Sequence, residues 1–326
     1  MRALVTGASG FLGGRLAQML ADEGTEVTVL ARAKTDLRHL DGVPVRVVKG
    51  SLTDAVALRE AVRGQSHLFH CAACSTDWAP ERTYLEANVQ GTRMLLEAAS
   101  GERGMERFVH VSTTDVYGYP ERPGDETAAM VDAGLPYNRT KMQGEMEVWG
   151  FAERGMPVTV IRPGTIYGPR GKDFVVEIAK MLRQRMMLLV DGGRARGGFC
   201  YVDNVCRAMM TCCSTEGTAG EAYNLTDSTG VTWREYSAAL AGGLGLRSPW
   251  IDLPFRVAMR VGAASERVHA TLRLPGRPLL TRHAVKLLGG DQEFSAAKAA
   301  RDFGYTADVG FAEGMRRSVE WVRGLG

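Results

Sequence analysis

Short apolar runs alternate with longer amphipathic segments through the first half of the chain. The runs are rich in β-branched residues, which predicts six strands. They cover Ala3–Thr6, Val27–Leu30, Val45–Lys49, His67–Cys71, Phe108–Ser112 and Val158–Arg162. The amphipathic segments predict helices at Leu12–Asp22, Ala55–Arg63, Arg82–Ser100 and Pro136–Arg154. This alternation predicts an α/β fold with a doubly wound parallel sheet, whose ligand binds outside the carboxyl ends of the strands.

The pattern becomes less regular after Arg162. It predicts, in chain order, helix Val175–Arg185, strands Met187–Val190 and Phe199–Val202, helix Asn204–Ser214, strand Glu221–Leu225, and helices Trp233–Gly242, Phe255–Leu272 and Glu313–Arg323. No repeat or low-complexity tract divides the sequence. We therefore expect one larger α/β domain of residues 1–165 with 197–226. The remaining residues, 166–196 with 227–326, are expected to form a smaller lobe interwoven with it.

Composition and charge narrow the classes of function. The 40 basic and 37 acidic residues are interspersed and leave a net charge of +3, which argues against a nucleic-acid partner. No apolar run approaches the roughly 20 residues of a membrane-spanning helix. Residues 254–274 come nearest, but arginines and a glutamate interrupt them. The chain start lacks the pattern of a secretory signal, so we expect a cytoplasmic protein that acts on a small molecule.

Six cysteines are spread over the chain. Cys71 and Cys74 have the spacing of half a zinc ribbon, but no second pair stands at a matching interval. They also lie in or beside an apolar run. We therefore expect reduced thiols and neither a metal site nor disulfides.

A glycine-rich segment links the first predicted strand to the first helix. Gly7, Gly10 and Gly13 stand three residues apart. Glycine is needed where this turn is tight, where a phosphate approaches the backbone and where the helix packs on the sheet. The amides of Phe11 and Leu12 then point at an anion, with the helix dipole behind them. The segment predicts the pyrophosphate site of a dinucleotide, although its spacing departs from the commoner G-x-G-x-x-G.

Tyr137 and Lys141 are the candidate catalytic pair. Their spacing of four residues places them on one face of the predicted helix. A free tyrosine has a pKa of about 10, too high for a base at neutral pH. A neighbouring ammonium group favours the phenolate and so lowers the pKa of the phenol, and it can also donate to ribose hydroxyls. The alternative is an exposed, inert pair, and the glycine turn argues against it.

Six further motifs follow one another between residues 70 and 205. They are HCAA at residues 70–73, NVQGT at 88–92, VSTTDVYG at 111–118, YNRTK at 137–141, RPGTIYGP at 162–169 and FCYVDNV at 199–205. Together with the glycine turn they resemble the extended branch of the short-chain dehydrogenase/reductase superfamily, the NAD-dependent epimerase/dehydratase family. The resemblance implies a Rossmann-type fold, in which the larger domain binds the dinucleotide and the smaller lobe binds the substrate.

The resemblance also implies roles for individual residues. Tyr137 exchanges a proton with the substrate oxygen while hydride moves to or from nicotinamide, and Thr113 orients the substrate carbonyl. Ser112 is the adjacent alternative, but strand alternation turns it to the opposite face. Asn88 supports the cofactor pocket. His70 lies on an apolar strand, and for that reason we expect a core histidine without a catalytic role. The expected cofactor contacts are Gly7, Ser9, Gly10, Phe11, Leu12, Gly13, Arg32, Ser51, Leu52, Ala72, Ala73, Tyr137, Lys141, Pro163 and Thr165.

The end of the second strand bears on the choice between NAD and NADP. A carboxylate there selects NAD by accepting from the ribose 2′-hydroxyl. This chain has Ala31 at that position, followed by Arg32. A guanidinium clamps a 2′-phosphate, so we predict NADP(H), with NAD(H) and an Arg32 stacked on the adenine as the alternative. Ser51 replaces the aspartate that family members commonly direct at the adenine, which leaves Leu52 and backbone to hold the ring.

Two substrate classes compete. A nucleotide-sugar 4-epimerase or dehydratase with tightly bound NAD needs cations for two phosphates. Here Gly197 stands where such members place an arginine, and Arg196 comes one residue early. Residues 75–78 (STDW) and 254–282 instead resemble the 3β-hydroxysteroid dehydrogenase-like branch. We therefore expect a ketone or secondary alcohol on a steroid-like or β-keto acid-like substrate. The expected substrate contacts are Ser75, Trp78, Thr114 and Tyr167.

Some alternatives stay open. The helix Phe255–Leu272 has an apolar face with arginines along its flank, so it either covers an apolar pocket, rests on a membrane surface or is an ordinary core helix. Asp115 is interpreted as a solvated loop carboxylate without an acid–base partner. A dinucleotide-sensing scaffold protein is the non-enzymatic alternative, disfavoured because Tyr137 and Lys141 are both present. We expect a homodimer.

Overall fold

The computed structural model describes residues 1–325, which contain eleven strands. Their bounds are β1 (Arg2–Thr6), β2 (Glu26–Ala31), β3 (Val45–Lys49), β4 (His67–His70), β5 (Arg107–Val111), β6 (Val158–Pro163), β7 (Thr165–Tyr167), β8 (Leu188–Val190), β9 (Phe199–Tyr201), β10 (Glu221–Leu225) and β11 (Ile251–Leu253). Seven of them form one parallel sheet in the order β3-β2-β1-β4-β5-β6-β10. The predicted doubly wound sheet is confirmed, and β10 adds a seventh strand beside β6.

Twelve α-helices lie within residues 1–325. They are α1 (Phe11–Asp22), α2 (Ala55–Val62), α3 (Glu81–Tyr84), α4 (Gly91–Ser100), α5 (Pro136–Ala152), α6 (Ile178–Arg183), α7 (Val202–Ser214), α8 (Trp233–Gly243), α9 (Phe255–Thr271), α10 (Arg282–Gly289), α11 (Ala297–Phe303) and α12 (Phe311–Arg323). None of the helices in the described residues is long and apolar enough to cross a membrane.

Helices cover both faces of the sheet, and successive strand residues point to opposite faces. Ala3 and Val5 of β1 belong to a core that includes Leu16 of α1 and Val205 of α7. Leu4, which lies between them in sequence, packs on the other face with residues of α2, α4 and α5. Strands buried on both faces need apolar residues at nearly every position. This requirement explains the continuous apolar runs of the sequence.

The register of the sheet brings three loops to one edge. Thr6 of β1 pairs with His70 of β4, and His70 pairs with His110 of β5. The residues that follow these strands therefore leave the sheet side by side, at the carboxyl ends where ligands of such folds bind. They are the glycine turn, the loop from Cys71 and the segment from Ser112.

β8, β11, α9 and α10 form a small lobe, called the C-terminal lobe below. Its strands pair in parallel, and its core holds Val190, Ala258, Leu280 and Val285. The sequence analysis missed β11 and α10 of this lobe, together with β7 and α11. All four are eight residues long or shorter, and such short elements carry few periodic positions.

The predicted helix Arg82–Ser100 is not continuous. A π-helical turn, Leu85–Gln90, joins α3 to α4. Such a turn inserts one extra residue into the helix and is common at functional sites. Here it contains the buried Asn88.

Candidate active site

The glycine turn between β1 and α1 leaves no room for side chains. Gly7 has a φ of +73°, in the left-handed region, and a Cβ there would lie 2.7 Å from the Ala72 nitrogen. A Cβ on Gly13 would lie 2.5 Å from the Gly7 carbonyl oxygen. The Gly10 amide donates to that same oxygen at 2.8 Å. Glycine at positions 7 and 13 therefore allows the turn to pack closely against the end of β4.

The first turn of α1 is open to a ligand. Within the described chain no side chain caps this helix, whose N-cap is Gly10, and Ser9 beside it is exposed. The amides of a helix N-terminus and the helix dipole attract an anion. Phe11 and Leu12 lie in this turn, as the sequence predicts. The geometry fits the pyrophosphate of a dinucleotide.

A buried hydrogen-bond chain supports the turn from below. The Nδ1 atom of His70 lies 2.8 Å from the Thr6 hydroxyl, and its Nε2 atom lies 2.9 Å from the Thr92 hydroxyl. The Ala72 amide donates to the same Thr6 hydroxyl at 3.3 Å. Burial lowers the pKa of His70 to about 3, so its ring is neutral. His70 thus fixes the end of β4 beside the glycine turn, in the manner of a core histidine.

Asn88 connects the loop after β4 to α5. Its side-chain oxygen accepts from the Cys74 amide at 2.8 Å, and its nitrogen donates to the Thr140 hydroxyl at 3.1 Å. Gly144 of α5 packs directly on the π-helical turn, because a Cβ there would lie 2.2 Å from the Asn88 carbonyl oxygen. The π-helical turn therefore positions the helix that carries Tyr137 and Lys141.

Thr113 and Tyr137 meet beyond the carboxyl end of β5. Thr113 caps the 3-10 turn Thr114–Tyr117, and its hydroxyl accepts from the Asp115 amide at 3.2 Å. The Thr113 side chain also interacts with the Tyr137 phenol and acts to lower its pKa. Ser112, the alternative hydroxyl, is buried. The structure therefore brings Thr113, rather than its neighbour, to the candidate catalytic tyrosine.

The pKa of the Tyr137 phenol is raised above its ordinary value. Burial is the largest cause, the Asp115 carboxylate adds to it, and the interaction with the Thr113 hydroxyl acts in the opposite direction. The expected lowering of this pKa by Lys141 is therefore wrong. The phenol is protonated at neutral pH, which suits a group that donates a proton to a carbonyl oxygen.

Lys141 lies one helical turn after Tyr137 and is buried. Its Nζ atom donates to the Val111 carbonyl oxygen at 2.7 Å, which holds the side chain at the end of β5. Burial lowers the pKa of Lys141 to about 8, while the charges of Glu145 and Cys71 act against burial. The ammonium group therefore titrates close to neutral pH.

The C-terminal lobe reaches the site through His283 of α10. The Nε2 atom of His283 lies 3.2 Å from Oδ2 of Asp115, and both side chains are buried. The imidazole ring also stacks on the Tyr137 ring, with centroids 5.5 Å apart. The interpretation of Asp115 as a solvated, unpartnered carboxylate is therefore wrong. His283 was missed altogether.

The loop after β4 meets the C-terminal lobe. Trp78 contacts His269 of α9 edge-on, with ring centroids 5.7 Å apart. Asp77 accepts from the Thr281 hydroxyl at 2.9 Å, two residues before His283. Ser75 is exposed in the same loop. The two segments that resemble the steroid-dehydrogenase branch thus form one wall close to Tyr137.

The two other expected substrate residues are buried. Thr114 lies directly after Thr113 in the 3-10 turn. Tyr167 is fully buried and contacts Tyr201, Tyr236 and Phe311. A substrate cannot reach the Tyr167 ring in this arrangement, so its assignment to the substrate site is wrong. Tyr167 is a core residue.

The end of β2 carries the residues expected to select the cofactor. Ala31 is the last residue of β2, and Arg32 after it is exposed. Asp36, the next acidic residue along the chain, is held by Arg38 at 3.0 Å. Ala31 and Arg32 thus stand where a carboxylate would accept from a ribose hydroxyl.

The remaining expected cofactor residues lie at the same edge of the sheet. The Ser51 hydroxyl lies 3.0 Å from that of Thr53, and Leu52 packs against Gly91. Pro163 ends β6 and Thr165 begins β7, and both are buried. Ala72 and Ala73 follow β4.

Two side chains that the sequence analysis missed lie beside the glycine turn. The His39 Nε2 atom is 2.8 Å from the Ala8 carbonyl oxygen. A Cβ on Gly14 would lie within 3 Å of both His39 and the guanidinium of Arg170. Burial lowers the pKa of both side chains. Arg170 still adds a positive charge next to the candidate phosphate site, but no motif marks it.

The cysteines are free thiols in the structure. Burial raises the pKa of Cys71 to about 12. The described part of the chain contains no cluster of three or more side chains that could hold a metal ion.

Several characterised proteins are similar to this chain over nearly its whole length. The 2-alkyl-3-oxoalkanoate reductase of Stenotrophomonas maltophilia is 32% identical, with 97% of this chain and 98% of the relative covered. A ketoreductase of Stigmatella aurantiaca, named for a 4-hydroxy-2-methyl-3-oxo-4-farnesyl-3,4-dihydroquinoline-1-oxide, is 32% identical, covering 97% and 95%. The 3 beta-hydroxysteroid dehydrogenase/Delta 5-->4-isomerase of Mycobacterium tuberculosis is 32% identical, covering 93% and 85%.

The fold is also similar to those of solved structures. MoeE5 in complex with UDP-glucose and NAD has a TM-score of 0.79 and 25% identity, with both chains fully covered. Residues 3–226 match the model of the NAD dependent epimerase/dehydratase family. The glycine turn, the Tyr137–Lys141 pair and the parallel sheet agree with that match. The chain belongs to the NAD-dependent epimerase/dehydratase family, the extended short-chain dehydrogenases/reductases.

Proposed function

We propose that this protein transfers hydride between nicotinamide and a ketone or secondary alcohol on an apolar or acyl substrate. The observation that carries the proposal is the arrangement of Tyr137, which interacts with Thr113 and stacks on His283 with ring centroids 5.5 Å apart. The open N-terminus of α1 lies at the same edge of the sheet.

The side chains supply the acid–base part of this chemistry. A bound dinucleotide supplies or accepts the hydride. In the direction of reduction, Tyr137 donates its proton to the carbonyl oxygen, and its raised pKa keeps the phenol protonated until that step. The Thr113 hydroxyl, next to the phenol, orients the same oxygen. Lys141 is one helical turn away and is the candidate donor to the ribose hydroxyls.

Three observations favour an apolar or acyl ketone over a nucleotide sugar. The relatives from Stenotrophomonas maltophilia and Stigmatella aurantiaca are named for oxo compounds with alkyl or farnesyl groups. Arg196, the candidate cation for a diphosphate, binds Asp291 at 2.8 Å. A side chain at position 197 would lie 2.2 Å from the Phe199 ring, which leaves no room for an arginine there. We therefore place the substrate among steroid-like or β-keto acid-like ketones.

We propose NADP(H) as the preferred cofactor. Support comes from the exposed Arg32 directly after β2 and from Ala31 in place of a carboxylate. A guanidinium makes charge-assisted hydrogen bonds with a 2′-phosphate, whereas it gains less from a hydroxyl.

The expected homodimer and cytoplasmic location remain proposals. Six free thiols support a reducing compartment. Sedimentation velocity of the purified protein measures the oligomeric state.

Absorbance of the nicotinamide ring tests the proposed reaction. NADPH and NADH are each combined with ketosteroids, β-keto acids and UDP- or dTDP-sugars. We expect NADPH to be consumed with at least one ketone of the first two classes. Conversion of a nucleotide sugar without net consumption of cofactor would contradict the proposal and favour the epimerase. Tight NADPH binding without turnover of any compound would favour a dinucleotide sensor.

A further inference from the structure

The helix α9 has an apolar face that no part of residues 1–325 covers. Val257, Val261, Ala264, Val268 and Leu272 recur every three or four residues and so lie along one side of the helix. All five are exposed, and the exposed fraction reaches 52% for Val268 and 64% for Leu272. We call these five residues the outer stripe.

The apolar surface continues beyond the end of α9. Leu274 and Leu279 are exposed, the latter to 75%. The described residues contain fourteen exposed large apolar side chains, and six of them lie between positions 257 and 279. Isolated exposed apolar residues are ordinary, but such a concentration marks an interaction surface.

The opposite side of α9 accounts for the packing of the helix. Ala258 is fully buried in the core of the C-terminal lobe, and a Cβ on Gly262 would lie 3.2 Å from the Arg282 amide nitrogen. The helix therefore packs on the lobe without using the outer stripe. Of the three alternatives left open by the sequence, an ordinary core helix does not explain this second apolar face.

Charge distinguishes the surface further. Arg256, Arg260 and Arg267 are exposed along the flank of the outer stripe. Glu266 is the only acidic residue between positions 255 and 279, and it turns inward, where it accepts from Arg282 at 2.7 Å. The exposed side of α9 thus combines an apolar stripe with a row of positive charges and no negative ones.

We propose that this face of α9 docks on a membrane that contains anionic lipids. A helix with an apolar face and flanking arginines lies in the interface, where apolar side chains enter the acyl boundary and the basic ones meet the headgroups. A second copy of the chain is a poorer occupant. A two-fold interface would bring the same row of arginines from both copies together.

Docking in this way places the membrane next to the lobe that completes the active site. α10 follows the exposed segment directly, and its His283 stacks on Tyr137. His269 of α9 itself contacts Trp78 in the candidate substrate wall. An apolar substrate that partitions into lipid would therefore be concentrated beside its binding site. The docking itself does not depend on which reaction the site performs.

Vesicle sedimentation tests the proposal with the full-length protein. The probes are vesicles of phosphatidylcholine alone and vesicles of phosphatidylcholine with phosphatidylglycerol, at low and high salt. We expect binding to the anionic vesicles that weakens with salt. The double variant Val261→Asp/Val268→Asp should lose more than tenfold in binding. Arg260→Glu/Arg267→Glu should lose about fivefold or more per arginine.

The control is Val56→Asp, which introduces a single aspartate at a valine of α2 that is 68% exposed. It should bind vesicles like the wild type. Circular dichroism and NADPH binding check that each variant is folded. Equal vesicle binding by the wild type and the Val261→Asp/Val268→Asp variant would overturn the proposal, as would no binding by either. A wild-type dimer that dissociates in that variant would instead assign the stripe to a contact between copies.

Discussion

The imidazole Nε2 of His283 lies 3.2 Å from the carboxylate of Asp115, although 168 residues separate them in sequence. Asp115 follows the strand that presents Thr113, whereas His283 belongs to the C-terminal lobe. The contact joins the two parts of the molecule directly at the Tyr137 ring. It requires a proton on Nε2, so the imidazole is the donor and the carboxylate the acceptor.

This contact predicts a positioning role for His283. In His283→Ala, we expect kcat to fall about tenfold to a hundredfold, because a small misplacement of a reacting group is costly. His283→Gln retains a donor and should recover part of the loss. NADPH affinity, measured by fluorescence titration, should stay unchanged in both variants. Equal losses in the alanine and glutamine variants, with an unchanged pH profile, would reduce His283 to a packing residue.

Asp115 contributes, after burial, to the raised pKa of Tyr137. Its carboxylate raises the pKa of the phenol, so Asp115→Asn should lower that pKa. Oxidation of an alcohol uses the deprotonated phenol as the base, and its pH profile should therefore move to lower pH in the variant. The measurement is the rate of alcohol oxidation by Asp115→Asn between pH 6 and 10, divided by the wild-type rate at each pH. A profile that moves to higher pH would contradict this electrostatic account.

Arg32 should discriminate between the two nicotinamide cofactors. Loss of a charge-assisted hydrogen bond costs about 1.5–3 kcal/mol, so Arg32→Ala should weaken NADPH binding about tenfold to a hundredfold. NADH has no 2′-phosphate and should bind almost as before. Arg38→Ala is the control, because Arg38 is held by Asp36. An equal effect of Arg32→Ala on both cofactors would remove the assignment of Arg32 to the phosphate.

Lys141 should affect how the free energy of unfolding depends on pH. The pKa of Lys141 is about 8 in the folded protein and 10.5 without burial. Between these values the unfolded chain binds more protons, so this lysine makes the free energy of unfolding rise with pH. We expect the wild type to gain about 2 kcal/mol relative to Lys141→Met between pH 8 and 10. Urea denaturation at both pH values measures it, and parallel curves for the two proteins would contradict it.

The buried ion pair between Arg162 and Glu145 should stabilise the folded protein. Glu145 lies one helical turn after Lys141 in α5. Arg162 and Glu145 are paired in the interior, and the Arg162 guanidinium also donates to the Tyr117 hydroxyl at 2.6 Å. Glu145→Ala leaves a buried positive charge unpaired and should cost about 3–5 kcal/mol in the free energy of unfolding. The matched control is Glu97→Ala, which breaks an exposed pair with Arg93 and should cost less than about 1 kcal/mol. Similar costs for the two variants would show that burial of the pair is unimportant.

The sheet and the glycine turn were predictable because their signals are local. Each parallel strand is a short apolar run in the sequence. The glycine turn is recognised from the spacing of Gly7, Gly10 and Gly13, which are close together in sequence. The Tyr137–Lys141 pair follows from helical spacing in the same way. These features need no knowledge of how distant segments pack.

The rest of the site depends on contacts between distant segments. His283 lies on a helix of eight residues, and no local pattern connects it to Asp115. The motif around Tyr167 does not indicate which face of the three-residue strand β7 is buried. In the structure the Tyr167 ring points into an aromatic core. The effect of Lys141 on Tyr137 was expected from charge alone. Burial of the phenol and the nearby Asp115 carboxylate instead raise the pKa of Tyr137.

The variant Tyr137→Phe tests the central claim most directly. Phenylalanine keeps the ring that stacks on His283 and removes only the hydroxyl that exchanges the proton. With a ketone that the wild type reduces, the variant should lose nearly all turnover in the NADPH absorbance assay. Its affinity for NADPH, measured by fluorescence titration, should remain close to that of the wild type. Retained turnover in Tyr137→Phe would contradict the account.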